Sequence, residues 1–124
     1  MIKCTFSVSN WQEDTVKSIA DCTLKKASVT YAYSGDITGE SDAEFLLLYL
    51  ADGSASFTAV EHIRGMYQGE PVTLVLNHHG MHTENVAEGQ CSVTYATGAL
   101  RDFRGTGKYA ADAATVELTL RAPL

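Results

Sequence analysis

Apolar residues recur at every second position through most of this chain, and that period decides what it can fold into. Ile2, Cys4, Phe6 and Val8 alternate with polar neighbours, as do Val29, Tyr31 and Tyr33. A period of two marks a strand with one buried face, and the 3.6-residue period of an amphipathic helix is nowhere sustained. Turn chemistry punctuates the runs at Ser34-Gly35-Asp36, Asp52-Gly53, Gln68-Gly69 and near Glu84-Asn85. The pattern predicts about eight hairpin-linked strands. The first runs from Ile2 and ends at Trp11; the others fall at 27–34, 37–50, 54–67, 71–82, 90–97, around 108–110, and 114–121. Residues 12–23 are polar and irregular and are expected to form a loop, as are the glycine- and charge-rich residues 98–107.

Short strands at regular spacing build a sandwich or a barrel. The run Phe45-Leu46-Leu47-Leu48-Tyr49 is apolar on both faces, which a one-sided meander does not need. A closed barrel has an interior to fill, and its exterior can be covered by an oligomer partner. The expectation is therefore an all-β, eight-stranded antiparallel barrel with almost no helix. It forms one domain over residues 1–124 and assembles as a homo-oligomer.

Charge and cysteine usage narrow the function. The formal net charge is −6 and the nine basic residues are scattered, which argues against nucleic acid as a partner. Three cysteines without CxxC spacing do not make a disulfide framework and point to a reducing, cytoplasmic setting. The opening MIKCTFSVSN has no apolar core segment, so no signal peptide is expected. The longest apolar run, FLLLYLA, is seven residues against the ~20 of a membrane helix, so no membrane partner is expected either. GTGK at Gly105–Lys108 lacks the other P-loop residues, and no GxSxG nucleophile elbow occurs.

The densest chemistry is LVLNHHGMHTE, Leu74 to Glu84. On a strand, His78 and His82 share a face but stand roughly 13 Å apart at ~3.3 Å per residue, too far to share a zinc ion with ligands at about 2.1 Å. His78 and His79 point to opposite faces. The string is a poor metal motif; no metal or cofactor is expected, and His79 and His82 read as solvated or interface side chains. Cys91 reads as a small core residue, and Trp11 as a packing residue. Tyr31, Tyr33, Tyr49 and Tyr95 are strand formers, with one or two as cavity contacts.

Hairpin arithmetic gives a sharper candidate. With Asp52-Gly53 as a two-residue turn, Glu44 faces Glu61, and the pairs Leu46–Ala59 and Leu48–Phe57 lie between them and the turn. With Gln68-Gly69 as the next turn, Glu61 faces Leu76 and His78 is its diagonal neighbour. Two carboxyls and an imidazole on one inward face would perturb one another's protonation and suit proton transfer or ligand orientation. Glu44, Glu61 and His78 are thus the candidate catalytic or ligand-binding residues, with Leu46, Phe57 and Leu76 as apolar ligand contacts. The face of the second strand stays open. A two-residue Ser34-Gly35 turn puts Tyr31 and Tyr33 with Glu44, and a three-residue loop puts them opposite.

The segments SGDITGESDAEFLLLYLADGSASF, VEHIRG, LVLNHHG and ATGALRDFRGTGKY resemble an uncharacterised bacterial family of small proteins grouped with the allene oxide cyclase-like β-barrels. The resemblance runs from about Ala27 to Leu120. It rests on Ser41 to Glu44, Asp52 to Ser54, Glu61, Asn77 to Gly80 and Gly98 to Gly107; His62 departs from the basic residue usual at its place. It implies an eight-stranded antiparallel barrel and supplies no function. The plant cyclases that name the group bind an apolar oxylipin epoxide inside the barrel and steer its ring closure without a cofactor. No motif here matches their catalytic residues, so the analogy is one of fold. Three functions follow as expectations: a barrel holding a small apolar or weakly basic molecule, a cofactor-free isomerase, cyclase or hydrolase using the same cluster, or a solid-packed interaction protein.

Overall fold

The computed structural model describes residues 1–111 and 115–122. Eight antiparallel strands form one sheet: β1 (Ile2–Ile19), β2 (Cys22–Gly35), β3 (Ile37–Tyr49), β4 (Ala55–Tyr67), β5 (Glu70–Thr83), β6 (Val86–Ala96), β7 (Thr106–Ala111) and β8 (Thr115–Leu120). Their order is β7-β6-β5-β4-β3-β2-β1-β8, so each strand from β1 to β7 pairs with its sequence neighbours and β8 returns to the free edge of β1. The two edge strands meet where Thr106 and Arg121 exchange backbone N–H···O bonds of 2.9 Å, which nearly closes a barrel. The expected barrel is thus observed; Ala114, the first residue of the expected eighth strand, lies outside the described residues.

The strand inventory differs from the sequence pattern in one large respect. Residues 12–23 are not a loop. β1 runs on to Ile19, turns at Ala20-Asp21 and returns as β2, with Ile19 opposite Cys22. β8 accompanies β1 only over Ile2–Ser7, while β2 stays paired with β3 from Thr23 to Tyr33, so from Val8 onward β1 is a free edge of the barrel wall. Both of its faces are largely wet, and a strand with two wet faces carries no alternation to read. Register shifts at Val8/Asn10 and Thr15/Lys17 blur the period further.

The interior is filled unevenly. At one end Ile2, Ile37, Ile63, Leu74, Leu118 and Leu120 are each at most 2 % exposed. Of residues 98–107, expected as a loop, Gly98–Leu100 form a short 3-10 turn whose Leu100 is buried against this end, and Thr106 and Gly107 already belong to β7. The turn starts at Gly98 with φ +68°, and a Cβ there would stand 2.6 Å from the Pro71 carbonyl oxygen, so glycine alone fits. At the other end small residues, Ala43, Ala55 and Ala87, face inward, and the barrel keeps a cavity there of about 440 Å³.

Candidate functional site

Turn chemistry decides which side chains reach the cavity. Gln68 and Gly69 both take positive φ, the type I′ geometry of a two-residue hairpin, and Tyr67 pairs with Glu70. That register sets Glu61 opposite Leu76 and makes His78 its diagonal neighbour on the inner face, as the arithmetic expected. The Asp52-Gly53 turn behaves differently. Asp52 uses its carboxylate to accept from the Ser54 backbone N–H at 2.9 Å and the Ser54 hydroxyl at 2.6 Å. Only Gly53 of the two has positive φ, and the connection spans Leu50 to Ser54, so Tyr49 pairs with Ala55.

That one-residue change in register turns every expected β3 side chain to the other face. Ala43 faces Glu61, and Glu44 faces Val60 on the outside of the barrel. The Glu44 carboxylate accepts from the Ser28 hydroxyl at 2.8 and 3.0 Å, and its side chain is exposed. Leu46 is likewise outside, 49 % exposed and opposite Thr58. The expected Glu–Glu–His cluster therefore does not form. Of the candidates, Glu61, His78 and Phe57 line the cavity. Leu76 is buried beside Glu61 without reaching the cavity surface. The open question of β2 is settled as well: Tyr33 pairs with Gly39 and Val29 with Ala43, so Tyr31 and Tyr33 face inward, opposite Glu44 and with Glu61.

Glu61 is 1 % exposed, and burying a carboxylate costs several kcal/mol unless hydrogen bonds replace its water. Three groups do so. The Tyr33 and Ser41 hydroxyls donate to Oε2 at 2.7 and 2.6 Å, and His78 Nε2 lies 2.7 Å from Oε1. His78, 6 % exposed, uses its second ring nitrogen as well, with Nδ1 2.8 Å from the Tyr109 hydroxyl. Phe6 holds the phenols in place, edge-on to Tyr31 and Tyr109 and stacked on Tyr33. Tyr31 also lines the cavity, and its hydroxyl has no protein partner among the described residues.

The surroundings of Glu61 resist further negative charge. Burial first, then the Glu61 carboxylate, push the Tyr31 and Tyr33 phenols well above their ordinary range. Burial raises Tyr109 too, with smaller contributions from Cys91, Tyr31 and Glu61. The Cys91 thiol is pushed up to about 12 by burial and then by Glu61.

Ser41 and Tyr109 are the site residues the sequence pattern missed; the inverted β3 register brings Ser41 inward, and Tyr109 is the less visible of the two. It lies on β7, a strand of six residues inside the glycine-rich region, and faces Gly89 across β6. A Cβ on Gly89 would stand 2.5 Å from the Tyr109 ring, so the glycine is the space the phenol fills. That complement of small against large was the available signal.

The cavity above these groups is walled by apolar and aromatic side chains, Phe6, Phe45, Leu47 and Phe57 among them. Trp11, on the free stretch of β1, and His82, near the β3–β4 and β5–β6 turns, are both exposed and line its opening. Trp11 packs on Phe45 with ring centroids 5.5 Å apart, and Tyr49 donates to Glu13 at 2.8 Å, so the free stretch of β1 is braced against β3.

Comparison with known proteins agrees with this architecture. Residues 2–121 match the family model described as "Protein of unknown function (DUF3224)". A crystal structure of a DUF3224 protein of unknown function from Shewanella oneidensis MR-1 superposes with a TM-score of 0.74 at 20 % identity, over 98 % of this chain and 97 % of that one. At that identity the likeness speaks for the fold. Among curated proteins none matches.

Two outcomes test the site. Glu61→Gln sets an amide N–H₂ against groups that all donate, so melting should show a loss of about 1–3 kcal/mol, whereas Glu44→Gln should stay within about 0.5 kcal/mol. Equal effects would place both glutamates on one face. Raised thiol and phenol values mean that, as pH rises above the unfolded Cys value of 9.0, the unfolded chain ionises while the folded one holds its protons. Below that pH these groups cost nothing; between pH 9 and about 12 the melting temperature should fall with increasing slope. A slope unchanged above pH 9 would contradict the buried, Glu61-facing placement.

Proposed function

The chain belongs to the DUF3224 family of proteins of unknown function, and from that premise we propose that it is a small-molecule-binding barrel. The observation that carries the reading is the cavity itself. Its volume of about 440 Å³ falls within the roughly 300–1,000 Å³ of small-molecule sites, and it pairs apolar walls with a few convergent polar groups at its base. The ligand is small and largely apolar, with its polar end toward Glu61, His78 and the phenols. It is neutral or weakly basic, because a buried carboxylate whose charge already raises four neighbours disfavours an anion beside it.

Binding is favoured over acid–base catalysis by the state of the cluster. With Glu44 outside, a mechanism with one glutamate as base and the other as acid has lost one carboxyl. Both nitrogens of His78 and both oxygens of Glu61 are already engaged, which suits orientation more than proton abstraction. The half-empty interior speaks against a solid-packed barrel. Self-association belongs to the same proposal: Leu46 and Val60, 49 % and 50 % exposed, are diagonal neighbours on the outer face of β3 and β4 and offer an apolar strip to a second copy.

The test is fluorescence of N-phenylnaphthylamine, a neutral apolar arylamine that brightens on leaving water. Binding should saturate with about one dye per chain. Ala87→Phe, at a half-buried position in the cavity lining, should weaken it at least tenfold while the fold still melts cooperatively. A dye signal that is absent, or indifferent to the filled cavity, would remove the reading.

A further inference from the structure

The three hydrogen bonds on Glu61 have a direction, and that direction reaches the cavity surface. A carboxylate accepts only, so the 2.7 Å contact at Oε1 requires the hydrogen to sit on His78 Nε2. In a neutral imidazole Nδ1 is then bare and accepts. Its partner 2.8 Å away is the Tyr109 hydroxyl, and a phenol donates better than it accepts because its lone pairs are drawn into the ring. Glu61 also accepts from the Tyr33 and Ser41 hydroxyls. With the imidazole neutral the chain runs one way: Tyr109 O–H to Nδ1, Nε2–H to Oε1.

We infer that Tyr109 is the group that reads the ligand's polar end, and that it selects a hydrogen-bond donor. With its own hydrogen committed to His78, the phenol turns only lone pairs toward the cavity, and donation along the chain makes its oxygen a better acceptor. An aromatic or aliphatic N–H, or a hydroxyl, extends the run toward Glu61. A carbonyl or ether oxygen in the same place meets lone pair with lone pair, and a site built to pair a donor rejects the analogue that lacks it. Tyr31 flanks the position with a hydroxyl free to donate, which matches a ligand group that also carries a lone pair, such as a hydroxyl or a primary amine. Glu61 and His78 are positioning residues in this account. The inference rests on the small-molecule reading above and names the ligand chemistry of that same site.

Three rigid tricyclic probes of nearly equal shape test it: carbazole with an N–H, fluorene with a CH₂, and fluorenone with a C=O, each competing against bound N-phenylnaphthylamine. Carbazole should bind about tenfold more tightly than fluorene, the worth of one well-formed hydrogen bond in a dry site, and in Tyr31→Phe, which removes the flanking donor, fluorenone should bind more weakly than fluorene. In Tyr109→Phe the carbazole-to-fluorene ratio should fall to about one; a ratio cancels any general loss of affinity in the variant. In Glu61→Gln it should shrink as well, since the chain loses its charged end. If the dye itself does not bind, the binding reading falls and the inference with it. If the dye binds and carbazole does not lead fluorene, or its preference survives Tyr109→Phe, or fluorenone leads fluorene in Tyr31→Phe, Tyr109 is not the reader and only the inference is overturned.

Discussion

A carboxylate in the middle of a barrel strand is the constraint around which the rest of the site is arranged. Glu61 sits near the boundary between the packed and open halves of the interior, where water cannot solvate it, and left alone it would destabilise the fold by several kcal/mol. Four strands supply the compensation: Tyr33 from β2, Ser41 from β3, His78 from β5 and, behind His78, Tyr109 from β7. Each partner is itself polar and buried or nearly so, and among the described residues no buried side-chain polar atom lacks a hydrogen bond. A satisfied network of this kind is rigid, because moving any member leaves another unpaired.

The uneven filling of the barrel gives that network a use. Large aliphatic residues and the Leu100 plug close one end, so the structure has a firm base there. Alanines at the other end leave space, and the polar groups lie between, with one side against packed apolar core and the other against the cavity. A low-dielectric setting strengthens each of these hydrogen bonds and raises the cost of a mismatched ligand. The stretch of β1 beyond β8 extends the apolar wall through Trp11, which packs on Phe45.

Much of this was legible in the sequence. Alternation and turn chemistry were enough for eight antiparallel strands, and the Gln68-Gly69 turn was enough to bring Glu61, Leu76 and His78 together, because both residues take the positive φ that closes a two-residue hairpin. The placement of Glu44 and Leu46 was not legible. It hung on whether Asp52-Gly53 closes a two-residue turn, and Asp52 instead binds Ser54. A single residue of register then inverts a whole strand. The β1–β2 extension was hidden because two wet faces carry no period, and Tyr109 because the strand that bears it is short and set among glycines. Its partner Gly89 was visible, but only the β6–β7 register shows that the two face each other.

The central claim is that the hydrogen bonds from Tyr109 through His78 all point toward Glu61. Nitrogen-15 correlation spectra of the His78 ring in the ligand-free protein at neutral pH test it most directly. The account predicts a hydrogen on Nε2 that is strongly deshielded and slow to exchange, and an Nδ1 with the shift of a hydrogen-bonded acceptor. A hydrogen on Nδ1, or an Nε2 hydrogen exchanging freely with water, would reverse or break the chain and contradict the account.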